Sequence, residues 1–277
     1  MAIPKQYAQD VRAIGARRHD NGADFWATPD GRWGKGSPFS TFDCVLLLTE
    51  LGVKRTDPVL EGAAEQILAA WRDDGRFRSA PKGAIYPCHT ANAARALCRL
   101  GRARDRRLKR TFEHLFEVQH DDGGWRCSKA RMGLCAETDA SNPGVTLSAL
   151  DAFRFTPNVN KDKRLGKAVR SLLAHWDTRK PLGPCHFGIG TLFMQVEYPF
   201  LRYNLFWWVY VLSHYRSARK DARFKKALRA LQAKLADGKV LVENPNRGLA
   251  KLSFCRRGEP SRAATRRYKE ILANVAG

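Results

Sequence analysis

A short motif that recurs along the chain constrains the fold more than any other feature. It consists of an aromatic residue or glutamine, three residues, a glycine, one residue and an aromatic residue, as in Trp71–Phe77 and Gln119–Trp125. A looser copy, Asp30–Trp33, lies near the start of the chain. The glycines of the three copies are about 45 residues apart, a period that is typical of stacked supersecondary units. The motif therefore predicts a repetitive architecture.

The segments between the copies have the character of helix pairs, each with one nearly all-apolar and one amphipathic helix. In the segment that follows Gly101, for example, Leu108, Phe112 and Leu115 fall on one helical face. The predicted inner, apolar helices are 41–52, 88–100, 143–155, 199–216 and 261–273. The predicted outer, amphipathic helices are 5–17, 57–71, 104–119, 161–176 and 219–236. We therefore expect an all-α fold, an α/α toroid (barrel) of about five helix pairs, in a single domain over residues 1–277.

The glutamine-to-tryptophan element at 119–125, set in a helix-pair repeat, resembles the QW repeat of squalene cyclase and other terpenoid cyclases. The β subunits of protein prenyltransferases share that α/α toroid. The segment 258–265 also resembles the start of an inner helix in such a repeat, and the likeness extends as a pattern over most of residues 20–275. It implies a central cavity and an enzyme of the terpenoid cyclase or prenyltransferase type.

The catalytic motifs of that superfamily are missing. The sequence has no Asp-x-Asp-Asp group for protonating a substrate and no Asp-Asp-x-x-Asp segment for holding magnesium and diphosphate. Its paired acids, Asp73-Asp74 and Asp121-Asp122, belong to the turns of the repeat. The zinc ligands of protein prenyltransferases have no counterpart in register. The resemblance therefore implies a divergent member that takes its catalytic residues from other positions.

Cysteine and histidine residues are the second signal. Seven cysteines in a chain without an apolar leader segment predict a cytoplasmic protein with reduced thiols. Two Cys-His dipeptides, Cys88-His89 and Cys185-His186, lie near the predicted starts of inner helices, and Cys127 precedes another start, with Cys135 in reserve. Successive inner helices start at one end of a toroid, so these groups could converge on Zn²⁺. The alternative is that the cysteines are small apolar residues of the core.

Aromatic residues between 193 and 215 form the third signal, in a segment too short and interrupted to span a bilayer. They predict an aromatic cavity wall, with ordinary core packing as the alternative. The predicted substrate-binding residues are Arg95, Tyr198, Arg202, Asn204, Trp207 and Tyr210. The candidate catalytic residues are His89, His186, Tyr203 and Asp43. Asp43 lies three residues after Ser40, so a capping box competes with a role in the cavity, and Arg95 could be an anion clamp or an ion-pair residue.

The net charge of +22 and the pI near 10.1 predict attraction to polyanions or phosphorylated molecules. Together with the resemblance, they favour an enzyme with an aromatic pocket, organised by zinc, that acts on a prenyl or other apolar phosphorylated substrate. The alternative is a non-catalytic basic protein that binds nucleic acid or an acidic partner, with the Cys and His residues serving a structural metal or the core. No recognised nucleic-acid-binding motif accompanies the charge.

Overall fold

The computed structural model describes residues 5–82, 84–126, 139–183 and 185–277, and these residues form twelve α-helices. In chain order the helices are α1 (Ala8–Ala16), α2 (Thr41–Glu50), α3 (Pro58–Leu68), α4 (Pro87–Arg99), α5 (Arg106–Glu117), α6 (Pro143–Phe153), α7 (Lys163–Thr178), α8 (Thr191–Met194), α9 (Leu205–Ser213), α10 (Arg216–Lys220), α11 (Ala222–Gln232) and α12 (Arg262–Ala276). A two-residue strand β1 (Leu235–Ala236) pairs antiparallel with β2 (Lys239–Val240). In the described part of the chain, no helix has the length and apolar composition that a membrane span requires.

The helices form two concentric rings. In the inner ring α2, α4, α6, α9 and α12 pack side by side in that order, and Arg267 of α12 donates a hydrogen bond to Glu50 of α2 and closes the circle. Helices α1, α3, α5, α7 and α11 pack against the outside of the inner ring. The predicted α/α toroid of five helix pairs is thereby confirmed.

Burial separates the two rings as the sequence pattern predicts. Every residue of α6 is buried, whereas α5 buries only the stripe formed by Leu108, Thr111, Phe112 and Leu115. Three outer helices, α5, α7 and α11, begin after an aspartate whose side chain accepts a backbone N–H and also pairs with an arginine two residues later. Each such cap stabilises its helix by about 1 kcal/mol. Part of the basic surface is therefore engaged in local ion pairs.

The repeated glycines mark the places where one helix pair docks on the next. Gly75 and Gly123 have φ angles of +87° and +97°, which favour glycine. A Cβ on Gly75 would lie 2.7 Å from the carbonyl oxygen of Arg110 in α5, and one on Gly123 would lie 2.7 Å from that of Lys167 in α7. The spacing of the motif thus follows from the repeated approach of a turn to the next outer helix.

The glutamine and tryptophan of the motif tie the same turn to its surroundings. Gln119 Nε2 donates to the carbonyl oxygen of Arg164 in the next outer helix at 2.9 Å. Trp125 Nε1 donates to the carbonyl oxygen of Leu115 at 2.7 Å, and the backbone N–H of Trp125 donates to Thr146 Oγ1 of the inner helix α6. One motif therefore connects an outer helix, the next outer helix and an inner helix.

Two predicted helices differ from the structure. The inner helix predicted over 199–216 begins only at Leu205, because the side chain of Asn204 caps it by accepting the N–H of Trp207 at 3.1 Å. The outer helix predicted over 219–236 is split, because Asp221 leaves helical geometry and caps α11 with its side chain. Both differences come from a capping side chain inside a stretch of sequence whose residue pattern predicts one continuous helix.

Candidate active site

The amino-terminal ends of the inner helices surround a cavity of about 390 Å³, here called the main cavity. Its wall is formed by residues of α4, α6 and α9 and by the loops at 185–187 and 197–204. The apolar part of the lining consists of Val145, Phe187, Leu192, Leu201, Tyr203 and Trp207. A cavity of this size and lining is suited to an apolar ligand.

A second cavity of about 440 Å³ lies beside the main cavity and shares Asn92 and Leu201 with it. Trp33, Phe42, Asp43 and His89 also line the second cavity. A carboxyl group and an imidazole are therefore brought together with two aromatic rings next to the apolar main cavity.

Asp43 is at once a capping residue and a cavity residue. Its backbone N–H donates to Ser40 Oγ at 3.2 Å, and Ser40 Oγ donates to Asp43 Oδ2 at 2.8 Å. Burial raises the pKa of the Asp43 carboxyl, and the hydroxyls of Ser40 and Ser37 and the charge of Arg95 offset this effect only in part. The carboxyl thus holds its proton to a higher pH than an exposed aspartic acid does, which suits a proton donor.

His89 also lines the second cavity. Its Nδ1 is 2.9 Å from Ser79 Oγ, and its ring meets that of Trp33 edge-on with 6.3 Å between the centroids. Burial lowers the pKa of His89, so the neutral imidazole is favoured at neutral pH. A neutral imidazole can accept a proton.

Glu197 is a site residue that the sequence reasoning did not identify. It lines the main cavity, is 4% exposed, and accepts a hydrogen bond from Arg202 Nε at 2.9 Å. Burial raises the pKa of Glu197, while Arg202 acts in the opposite direction. The signal for it in the sequence is a single carboxylate inside the apolar and aromatic stretch 192–201.

Tyr203 and Trp207 both line the main cavity. The hydroxyl of Tyr203 is 3.0 Å from His175 Nδ1, and the ring of Trp207 lies 4.2 Å from the guanidinium carbon of Arg95. Arg95 also lines the main cavity, although its Nε donates to Asp151 Oδ2 at 2.6 Å. Arg95 is therefore an ion-pair residue that forms part of the cavity wall.

Other predicted site residues lie away from the main cavity. Tyr198 is fully buried and donates its hydroxyl hydrogen to Glu50 Oε2, and Asn204 is the cap of α9. Tyr210 lies toward the opposite end of the ring, where its hydroxyl donates to Glu270. His186 is exposed and lines neither cavity. Arg202, by contrast, lines the main cavity with a half-exposed side chain.

The structure brings together part of the predicted zinc site. Cys88 and Cys185 line the main cavity, whereas His89 lines the second cavity and His186 lines neither. Cys127 and Cys135 lie outside the described residues. Within the described ranges, no group of three or more Cys, His, Asp or Glu side chains is arranged to hold a metal ion, so these residues alone do not complete a zinc ligand set. The zinc site stays a prediction.

Comparison with solved structures identifies the architecture. A variant of the type II terpene cyclase MstE from Scytonema, in complex with its substrate geranylgeranyl dihydroxybenzoate, matches with a TM-score of 0.50 over 98% of this chain and 84% of that chain. The chain has the fold of a type II terpene cyclase. The ligand-free structure of MstE matches with a TM-score of 0.49 over 97% of this chain and 81% of that chain, and identity is 14% in both comparisons.

No protein-family model matches the sequence, and no curated protein is significantly similar to it. At 14% identity the likeness to MstE establishes the terpene-cyclase fold alone, since one fold hosts many activities. Within this terpene-cyclase fold, the main and second cavities lie at the end of the inner ring where α2, α4, α6 and α9 begin. The chemistry that the chain can perform depends on the residues that line these cavities.

Proposed function

We propose that the protein is a terpene-cyclase-type enzyme that binds a prenylated substrate in the main cavity and starts the reaction with a proton from Asp43. The observation that carries the proposal is the buried carboxyl of Asp43, with its raised pKa, in a cavity that continues into an apolar one. Support for a prenylated substrate comes from the fold, because MstE binds geranylgeranyl dihydroxybenzoate.

The proposed first step is protonation of a carbon–carbon double bond. The O–H bond of the Asp43 carboxyl breaks, a C–H bond forms with the π electrons of the alkene, and a carbocation results. The remaining carboxylate accepts hydrogen bonds from the hydroxyls of Ser40 and Ser37 and is attracted by Arg95. Such fixed donors stabilise the charge that develops on the acid.

Aromatic side chains would stabilise the cation while the ring closes. Trp33 and Phe42 line the second cavity with Asp43, and Tyr203 and Trp207 line the main cavity. Each ring face near a cation contributes about 0.5–2 kcal/mol. The cation is quenched when a neighbouring C–H bond breaks, its electrons form the new double bond and its proton leaves to a base. We assign this role to His89, whose imidazole lines the second cavity and has a pKa lowered by burial.

Incubation with geranylgeranyl dihydroxybenzoate in heavy water tests the proposal. A cyclised product of unchanged composition apart from one incorporated deuterium is expected, because the initiating proton comes from an acid that exchanges with solvent. The side chain of the Asp43→Asn variant has the same size but cannot transfer a proton to an alkene. This variant should therefore bind the probe and give no product. Glu197→Gln is the matched comparison, since it neutralises a second buried carboxyl with a raised pKa, which lines the main cavity.

The outcomes separate the parts of the proposal. Product formation by Asp43→Asn together with its loss in Glu197→Gln would move the acid to Glu197 and leave the cyclase activity standing. Binding without turnover of this and of shorter prenyl arenes by the unaltered protein would contradict the activity itself. The nucleic-acid alternative stays a prediction of the basic composition.

A further inference from the structure

A polar pocket of about 170 Å³ lies at the other end of the inner ring, where its helices approach their carboxyl ends. Four arginines line it, namely Arg55, Arg99, Arg154 and Arg267, together with a single carboxylate, Glu270. We call it the arginine pocket. It has no part in the proposed cyclisation, which takes place at the opposite end of the ring.

Three of these arginines are fixed in place by buried carboxylates. Arg99 Nη1 donates to Glu50 at 2.7 Å, and Arg267 Nε donates to the same carboxylate at 2.7 Å. Arg154 Nε donates to Asp151 at 2.6 Å. Because each guanidinium is anchored through at least one of its nitrogens, the orientation of the planar group is fixed.

The Nη2 atoms of Arg154 and Arg267 are available to a ligand. These two atoms make no hydrogen bond to the described part of the chain, whereas Nη2 of Arg99 lies 3.8 Å from Asp151 Oδ2. Arg99 is only 6% exposed, and its Nε is buried and lacks a hydrogen-bond partner among the described residues. Arg55 is exposed and forms no ion pair within those ranges. A buried donor without a partner, such as Arg99 Nε, is rare in folded proteins.

The electrostatic balance around the pocket is positive. Five guanidinium groups, those of Arg55, Arg95, Arg99, Arg154 and Arg267, are set against the carboxylates of Glu50, Asp151 and Glu270. This surplus of positive charge acts on His214, whose Nε2 lies 3.4 Å from Arg154 Nη1. Burial and the charge of Arg154 lower the pKa of His214 to about 3, although Asp151 acts in the opposite direction.

We propose that the arginine pocket binds a phosphate group, either as the free ion or at the end of a small molecule. Guanidinium groups match the geometry of phosphate oxygens, and several of them converge here on a space that admits one such group. Asp151 bonds both Arg95, which lines the main cavity, and Arg154, which lines the arginine pocket. The two sites are therefore separated by one layer of ion pairs.

Binding of inorganic phosphate to the full-length protein, measured by calorimetry and thermal unfolding at constant ionic strength, tests this site. We expect phosphate, and not chloride, to raise the melting temperature. Arg55→Ala should weaken phosphate binding about tenfold, because one charged contact of this kind contributes about 1.5 kcal/mol. Lys54→Ala removes an equal charge from the neighbouring exposed position, which does not line the pocket, and should leave the dissociation constant unchanged.

Glu270→Gln provides a gain-of-binding test, because Glu270 supplies the one carboxylate among the described residues that line the pocket. Phosphate should bind about tenfold more tightly to this variant if that carboxylate repels it in the arginine pocket. Glycerol phosphate used in parallel identifies the source: tighter binding than inorganic phosphate indicates an esterified phosphate, and weaker binding indicates the free ion. Equal affinity of the unaltered protein, Arg55→Ala and Glu270→Gln for phosphate, or no binding at all, would overturn the proposal.

Discussion

Arg95 and Asp151 form an ion pair in the centre of the inner ring, with Arg95 Nε 2.6 Å from Asp151 Oδ2 and both side chains almost completely buried. Burial alone would raise the pKa of Asp151, but Arg154, Arg95 and Arg99 hold it well below its usual range. The middle of the toroid is consequently an ionic layer between the main cavity and the arginine pocket. The buried apolar residues of the inner helices surround this ionic layer.

Replacement of Asp151 should strongly destabilise the protein. In Asp151→Asn, Arg95, Arg99 and Arg154 lose their shared carboxylate, and breaking a buried pair in this way costs about 3–5 kcal/mol. The free energy of unfolding, measured with urea, gives the effect. Asp177→Asn is the control, since Asp177 is exposed and, among the described residues, pairs with Arg223 alone at 3.4 Å; it should change stability by less than about 0.5 kcal/mol. Similar effects of the two variants would contradict the importance of the ionic layer.

Glu50 predicts a loss of stability in acid. Burial would raise its pKa, but Arg267 and Arg99 lower it from 4.5 to about 2 in the folded protein. The unfolded chain therefore binds the proton more readily, so the contribution of Glu50 is fully present above about pH 5. It is lost as the pH falls toward 2 and amounts to roughly 3 kcal/mol. Urea unfolding between pH 7 and pH 3 measures the decline.

The matched variants for this pH effect are Glu50→Gln and Glu113→Gln. Glu50→Gln starts from a lower stability, because Arg99 and Arg267 lose a charged partner, but its stability should decline less steeply in acid. Glu113 is exposed on α5, and its variant should keep the slope of the unaltered protein. A parallel decline in all three proteins would show that Glu50 does not determine the acid sensitivity.

The repeat motif predicts a specific sensitivity at Gly123. An alanine there combines a positive φ with a Cβ 2.7 Å from a backbone oxygen, so Gly123→Ala should lose more than about 2 kcal/mol. Gly258→Ala isolates the conformational strain, since Gly258 has φ +75° and a Cβ there would meet no atom within 4 Å. This variant should lose about 1 kcal/mol of its free energy of unfolding. Gly15→Ala, inside α1 with open space around it, should gain about 0.5 kcal/mol. Thermal unfolding gives the order, and equal losses at 123 and 258 would exclude the close approach as the cause.

Asp43 predicts a one-sided pH dependence of the proposed reaction. The rate requires the protonated carboxyl, so it should fall as the pH rises above the pKa of Asp43, which burial raises from 3.8. The measurement is single-turnover cyclisation at several pH values, in parallel with probe binding. Because the Glu197 carboxyl also lines the main cavity and has a raised pKa, the binding measurement separates a change in affinity from a change in the rate of the step. A rate that is independent of pH where Asp43 titrates would argue against its role as the acid.

The zinc predicted from the sequence is open to direct measurement. If Cys88 and Cys185, which line the same cavity, act with Cys127, the purified protein contains one zinc ion per chain. Cys88→Ala and Cys185→Ala should then each lose it, whereas Cys98→Ala, a buried thiol of α4, should retain it. Zinc is measured by elemental analysis after dialysis. A metal content below about one tenth per chain in the unaltered protein would remove the prediction.

Local sequence patterns determined the helices and their sorting into two rings. Apolar residues on all sides of a segment indicate an inner helix, and one apolar stripe, as in α5, indicates an outer helix, because burial follows from the helical period. The glycine-aromatic motif revealed the structural repeat, since Gly75 and Gly123 occupy the same position against the next outer helix. The position of Asp43 near the start of an inner helix was likewise visible in the sequence, as was its capping partner Ser40.

Only the tertiary structure decided which polar residues share a site. Glu50 pairs with Arg99 and Arg267, Tyr210 points toward Glu270 at the far end, and Glu197 reaches the main cavity from a loop. These arrangements depend on the rotation of each helix about its axis and on the path of loops between distant segments. The physical reason is that a buried charge is stable only beside partners that the folded chain brings together, and spacing along one helix does not reveal partners on another.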